Sequence, residues 1–164
     1  MPGDPMPDVS LVIPEPAQRG LVDRLAQFYA YDFSEINDLA FGADGRFGAH
    51  PCFDLIWSDP AYHARLIKQG SLIAGFAIIH EHAPEHYDML QFFVRRGLRR
   101  RGIGRAAAIK TFDAFPGTWT VEQMAVHHDA QAFWRETIVQ YTGGAFEESG
   151  EDPEQRFTAP PNKS

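Results

Sequence analysis

FFVRRGLRRRGIGRAAAIK, Phe92 to Lys110, joins an apolar segment to an arginine-rich turn with Gly102 and Gly104, and a helical stretch follows at once. The helix is predicted from about Gly104 to Phe115, where Pro116-Gly117 stops it. The first amides of a helix have no intrahelical acceptors, and the helix dipole adds partial positive charge there. Glycines let the backbone approach an anion closely, and arginines add charge-assisted, often bidentate, hydrogen bonds. The pattern therefore describes a phosphate cradle at a helix mouth. The competing reading is a solvated basic turn in which the glycines serve only as punctuation.

Downstream, Thr118 to Val126 (TWTVEQMAV) reads as a strand. Strand, helix and strand at this length form a crossover, so the two flanking strands are parallel. Upstream, His63 to Gln69, Ser71 to Glu81 and Tyr87 to Arg95 are strand-like, separated by turns at Gln69-Gly70 and Ala83-Pro84-Glu85. Three antiparallel strands follow, and the almost wholly apolar SLIAGFAIIHE belongs at the centre of a sheet covered on both faces. Asp8 to Ile13 (DVSLVI) adds a short strand ended by Pro14 and Pro16. From Ala17 to about Ile36, Leu21, Leu25 and Phe28 recur at helical spacing. Gly42, Gly45, Gly48 and Pro51 make residues 37–54 a loop with room for a short helix. A last helix runs from Asp129 to Tyr141 and ends at Gly143-Gly144. Beyond Glu147 the tail is polar, with Arg156 to Thr158 as an added edge strand. The fold class is α/β: one domain over residues 1–164, with a mixed, mostly antiparallel sheet of six to seven strands and helices on both faces. The ends, 1–7 and about 149–164, are expected to be loosely ordered.

Composition narrows the function classes. The 13% aromatic content, with thirteen Phe, excludes an intrinsically disordered chain. A single cysteine, Cys52, excludes an internal disulfide and a thiolate metal site, and points to the reducing cytoplasm. No apolar run approaches the roughly eighteen residues that span a membrane, and MPGDPMPDVS lacks the features of a signal peptide. Net charge is −7, yet Arg95, Arg96, Arg99, Arg100, Arg101 and Arg105 crowd into one loop. That distribution fits a localised anionic ligand rather than nucleic acid, since no aromatics interleave with the arginines. The acidic remainder favours an amine-bearing second substrate.

The loop lacks the spaced glycines and Lys-Ser/Thr of a nucleotide P-loop. It also has Ala107 where a dinucleotide fingerprint has its third glycine. Arg99-Arg100-Arg101-Gly102-Ile103-Gly104 instead resembles the pyrophosphate signature of the GNAT N-acetyltransferases, Gln/Arg-x-x-Gly-x-Gly/Ala. Val94, eight residues before Gly102, is similar to that family's spacing, and the order of elements is similar over roughly residues 8–147.

The resemblance implies acetyl-CoA as co-substrate and a splay between the fourth and fifth strands. Phe92, Phe93 and Val94 would offer backbone amides to the thioester carbonyl. Arg99, Arg100, Arg101, Gly102, Ile103, Gly104 and Arg105 would hold the pyrophosphate, with Trp134 packed against the cofactor. It implies N-acetylation of a small-molecule, amino-acid or peptide amine; many relatives form homodimers. Asp88, six residues before Val94, stands where one branch of the family places its general base, with Glu81 and Glu122 as further candidates. The family's Asn-x-x-Ala-x-x-x-Tyr corresponds to His127 through Trp134, so Trp134 takes the place of the acid tyrosine. Indole has no useful acidity. Tyr141 or a water supplies the proton, or the thiolate leaves without a protein acid. A module that binds acyl-CoA without catalysis is the alternative function.

Tyr29, Tyr31, Asp32 and Glu35 cluster at the end of the first helix and are the candidate amine-binding residues. His80, His82 and His86 read as a histidine-rich hairpin turn, so no metal site is expected.

Overall fold

The computed structural model describes residues 5–162. Seven strands form one sheet: β1 (Val9–Val12), β2 (Tyr62–Gln69), β3 (Leu72–Ala83), β4 (His86–Val94), β5 (Gly117–Glu122), β6 (Glu147–Ser149) and β7 (Glu154–Ala159). Four α-helices accompany them among the described residues: α1 (Arg19–Phe33), the one-turn α2 (Cys52–Leu55), α3 (Ile103–Ala114) and α4 (His128–Thr142). The sheet order is β1-β2-β3-β4-β5-β7-β6. Every neighbouring pair is antiparallel except β4 with β5, which α3 connects as a crossover.

Alternation along β3 distributes the core. Phe76 and Ile78 pack with Leu66, Phe93, Val22, Ala26 and Phe53 beneath α1 and α2. Ala77 and Ile79 face the opposite way, joining Phe112, Trp119, Trp134 and Ile138 beneath α3 and α4. Residues Ala74 and Phe76 to Ile79 are buried, as a central two-faced strand requires. Gly75 fits where it does because a Cβ there would stand 1.7 Å from the Phe93 carbonyl oxygen. Ala106, Ala107 and Ala108 are all buried and let α3 sit close against the sheet.

Several boundaries differ from the sequence-based expectation. The first helix stops at Phe33, short of Ile36; Ser34 Oγ donates to the Tyr31 carbonyl at 2.6 Å and closes its last turn. β5 stops at Glu122, short of Val126, because the following backbone turns to other partners. Ala125 N–H donates to Asp152 Oδ1 at 2.6 Å, and Gln131 Nε2 donates to the Met124 and Ala125 carbonyls, both at 2.9 Å. The tail also corrects the expectation. The strand predicted at Arg156 to Thr158 is longer and lies inside the sheet, between β5 and β6, so order continues well past residue 149. Gln155, Phe157 and Ala159 alternate inward from it, and the Gln155 amide pairs reciprocally with that of Gln123 at 2.7 and 3.0 Å. That alternation was hidden among polar neighbours. Of the leader predicted at 1–7, residues 1–4 lie outside the described residues.

Candidate active site

β4 and β5 pair only from His86↔Thr118 to Asp88↔Thr120. Beyond that point they diverge, and β4 remains bound to β3 alone. A bulge accompanies the divergence: Ile79 faces Met89 and Ile78 faces Gln91, which leaves Leu90 as the extra residue. The Arg95 amide donates to Ala74 of β3 at 2.8 Å. By strand alternation, the amides of Phe92 and Val94 therefore point to the open edge. The Val94 carbonyl does the same, and accepts from Arg99 Nε at 2.8 Å.

A cleft of about 410 Å³ occupies the divergence. Leu90, Gln91 and Phe92 of β4 form its floor, Glu122 and Met124 one side, and His127, Ala130 and Trp134 of α4 the other. Ala26, Tyr29, Ala30 and Phe33 of α1, Phe53 of α2, and the loop residues Leu39 and His50 complete its lining.

The arginine loop ends beside this cleft. Gly102 is the N-cap of α3 with φ 77°, a left-handed conformation that favours glycine. The Ala106 amide is satisfied by the Gly102 carbonyl at 3.0 Å, whereas those of Ile103, Gly104 and Arg105 find no protein acceptor among the described residues. Three open amides at a helix mouth suit a diphosphate. Arg100 and Arg101, exposed and without a carboxylate partner among the described residues, suit it as well. Gly104 lies against Phe133, since a Cβ there would come within 3.2 Å of that ring. Phe133 stacks on Phe92 with ring centroids 5.9 Å apart, and so links the helix mouth to the cleft. Gly104 thus makes room for α4, a role the sequence-based reading assigned only to ligand approach.

The arginines divide by task. Arg99 holds Asp32 as well as the Val94 carbonyl, and Arg96 Nε donates to Asp32 at 2.6 Å. Arg99 therefore ties α1 to the end of β4 instead of reaching outward. Arg105 meets Glu136 at 3.3 Å on the surface. Asp32 is consequently occupied, and neither it nor Tyr31 nor Glu35 lines the cleft; of the four residues expected to bind the amine, Tyr29 alone does. Burial and the neighbouring Cys52 push the Tyr29 phenol well above its ordinary range, so it stays protonated. Burial also pushes the Cys52 thiol up to about 12.

The two residues expected to be catalytic stand elsewhere. Asp88 sits at the last paired position of β4, where its carboxylate meets His82 Nδ1 at 3.0 Å and His80 Nδ1 at 3.8 Å, outside the cleft lining. Tyr141 lies two turns further along α4 than Trp134. Its hydroxyl donates to Asp113 at 2.9 Å, and it borders a separate groove with Phe146 and Arg156. Phe93 faces the α1 core and Trp134 lines the cleft, edge-on to Phe92 at 5.0 Å.

Two histidines in the cleft were not singled out as site residues from sequence. His127 immediately precedes α4, makes no side-chain capping hydrogen bond to it, and meets Phe33 edge to face with ring centroids 5.9 Å apart. Burial holds its pKa below the usual value, with Arg99 adding to the shift and Asp129 opposing it. His50 accepts the Cys52 amide on Nδ1 at 3.1 Å, which in the neutral ring leaves the proton on Nε2. Nothing in the glycine-rich loop around His50 marks it in sequence.

Among the described residues no three of His, Cys, Asp and Glu converge to hold a metal ion, and no helix is long and apolar enough to cross a membrane.

No curated protein matches this sequence. Solved structures share the fold at low identity. An acetyltransferase of Thermus thermophilus is 16% identical with a TM-score of 0.65, covering 90% of this chain and 94% of that one. A GNAT acetyltransferase of Staphylococcus aureus Mu50 is 12% identical with a TM-score of 0.64, covering 93% and 99%. Spermidine N-acetyltransferase of Vibrio cholerae, in complex with CoA and spermine, is 12% identical with a TM-score of 0.62, covering 92% and 95%. The model of the Acetyltransferase (GNAT) family matches residues 30–137, spanning the end of α1, the splay, the arginine loop and most of α4, and the chain therefore belongs to that family of acetyl-CoA-dependent acyltransferases.

Proposed function

We propose that this protein transfers the acetyl group of acetyl-CoA to the nitrogen of an amine bound between α1, the loop before α2 and the end of β5. The observation that carries the reading is continuity. Open amides at Ile103 to Arg105 adjoin Phe133, which stacks on Phe92, and Phe92 lines a cleft that also holds His127. Acetyl-CoA, when bound, supplies a thioester carbonyl and a thiol leaving group.

The remaining work belongs to the chain. The Phe92 and Val94 amides, fixed by β3 on the other side of the strand, are donors aimed where negative charge develops on a carbonyl oxygen. His127 accepts the proton lost by the amine nitrogen. Its lowered pKa keeps the imidazole neutral at pH 7, the form a base requires. Asp88 is replaced in this role because His82 engages its carboxylate outside the cleft. Tyr141 is not used as the acid, because its proton is committed to Asp113. No protein acid is assigned to the thiolate.

The position of Trp134 supports a second reading, a module that holds acyl-CoA without catalysis. Thiol release from acetyl-CoA over a panel of amines separates the two. Amine-dependent release is expected at a rate well above hydrolysis; tight CoA binding with no release for any amine excludes the transferase.

A further inference from the structure

The chain carries 22 Asp and Glu residues against 15 Lys and Arg, a surplus that by itself suggests a polycationic acceptor. The cleft does not share that surplus. Among the described residues, Glu122 is its single carboxylate. Asp32, the acid nearest along α1, is engaged by Arg96 and Arg99. Asp44, in the loop that closes the cleft, accepts the Arg46 amide at 3.0 Å and lies outside the lining. The lining contributed by α1, α2 and the loop between them is largely apolar, with Ala26, Ala30, Phe33, Leu39 and Phe53, and its polar side chains, Tyr29 and His50, include no carboxylate.

Resting on the proposed amine acetylation, we infer that the acceptor is a primary monoamine with an apolar or aromatic body, and that polyamines are excluded. Glu122 receives the ammonium at the β5 end of the cleft, next to His127. The body of the acceptor lies against Phe33, Leu39 and Phe53. A single carboxylate neutralises one ammonium. A second one placed on the apolar wall would be desolvated without a partner, which is costly. Specificity here is a difference between two occupants of one wall, and the wall rejects charge more than it selects shape. In the acyl step the bound ammonium first gives one proton to His127, the neutral nitrogen forms a bond to the acetyl carbon, and the carbon–sulfur bond breaks with its electron pair going to sulfur. The second proton lost from nitrogen passes through solvent to the thiolate.

Thiol release is measured at fixed pH and ionic strength with 2-phenylethylamine and hexylamine against putrescine and spermidine. The monoamines are expected to exceed spermidine in kcat/KM by at least about tenfold. Glu122→Gln is expected to raise the monoamine KM about tenfold with kcat changed less and the CoA Kd unchanged, a split that a merely structural residue would not produce. Leu39→Glu, at an exposed loop position, is expected to move the ratio toward spermidine by adding the missing second carboxylate. Spermidine equal to or better than the monoamines overturns the inference and leaves acetyl transfer standing. A ratio unmoved by Leu39→Glu overturns the assignment of this wall to the acceptor. Absence of turnover with every amine overturns both readings.

Discussion

Between Val94 and Arg105 the site is made of main chain: open amides at the start of α3, a left-handed Gly102 and the free edge of β4. Across the cleft, the wall proposed for the acceptor is made of side chains carried by α1, α2, the glycine-rich loop, the end of β5 and the start of α4. A main-chain site depends on turn geometry, which a few neighbouring residues determine. A side-chain site depends on which distant segments meet. The phosphate end is therefore expected to tolerate changes at its arginines better than at Gly102. The acceptor end should respond sharply to single side chains.

The largest effect is expected at His127. Replacing it with Gln preserves bulk and polarity but removes the base, and kcat/KM should fall by roughly 10²-fold or more. In the parent protein, activity should decline as pH drops through a pKa below the ordinary histidine value, because protonation disables the base and burial has lowered that pKa. The variant should lose this acid limb. Asp88→Asn should leave it in place, since Asp88 answers to His82 rather than to the cleft. A pH–rate profile moved by Asp88→Asn and unmoved by His127→Gln would reverse the assignment.

A smaller loss is expected at Gly102. An L-residue in the left-handed region costs about 1–2 kcal/mol, which corresponds to roughly 5–30-fold if the strain is relieved by turning the amide row away. Calorimetry with CoA on Gly102→Val should show a weakening of that order with the far-ultraviolet circular dichroism unchanged. An unchanged Kd would detach the amide row from CoA binding and dissolve the contrast between the two ends.

That contrast also explains what could be read from the sequence. The arginine-rich turn, its two glycines and the alanine-rich helix are contiguous, so the cradle and the crossover were visible in a single stretch. The apolar SLIAGFAIIHE likewise disclosed the centre of the sheet. Asp32 shows the limit. In sequence it is an acid beside two tyrosines; in the fold its carboxylate lies 64 residues from Arg96 along the chain yet 2.6 Å from it in space. Phe157 and Gln155 were obscured because a strand buried on one face within a polar tail leaves only three inward positions to notice. The β4 bulge at Leu90 leaves no mark in an apolar run, although it fixes which amides face the cleft.

The smallest effect is expected at Tyr141, and it tests the contrast from the other side. Linear position suggested a proton donor, because Tyr141 is the tyrosine next after Trp134 on the same helix. Yet seven residues of helix displace it by about 10 Å, and its hydroxyl ends at Asp113 with its ring among Phe112 and Phe157. Burial and the Asp113 carboxylate both push its pKa above the ordinary phenol value, so it is a poorer acid than a free tyrosine. Tyr141→Phe should therefore leave kcat and its pH dependence unchanged. Removing the hydrogen bond to Asp113 should cost about 1 kcal/mol or less at this half-exposed position, read as a small drop in Tm. A large fall in kcat with Tm preserved would mean that the hydroxyl reaches the leaving group in the working enzyme, and that α4 shifts when both substrates are bound.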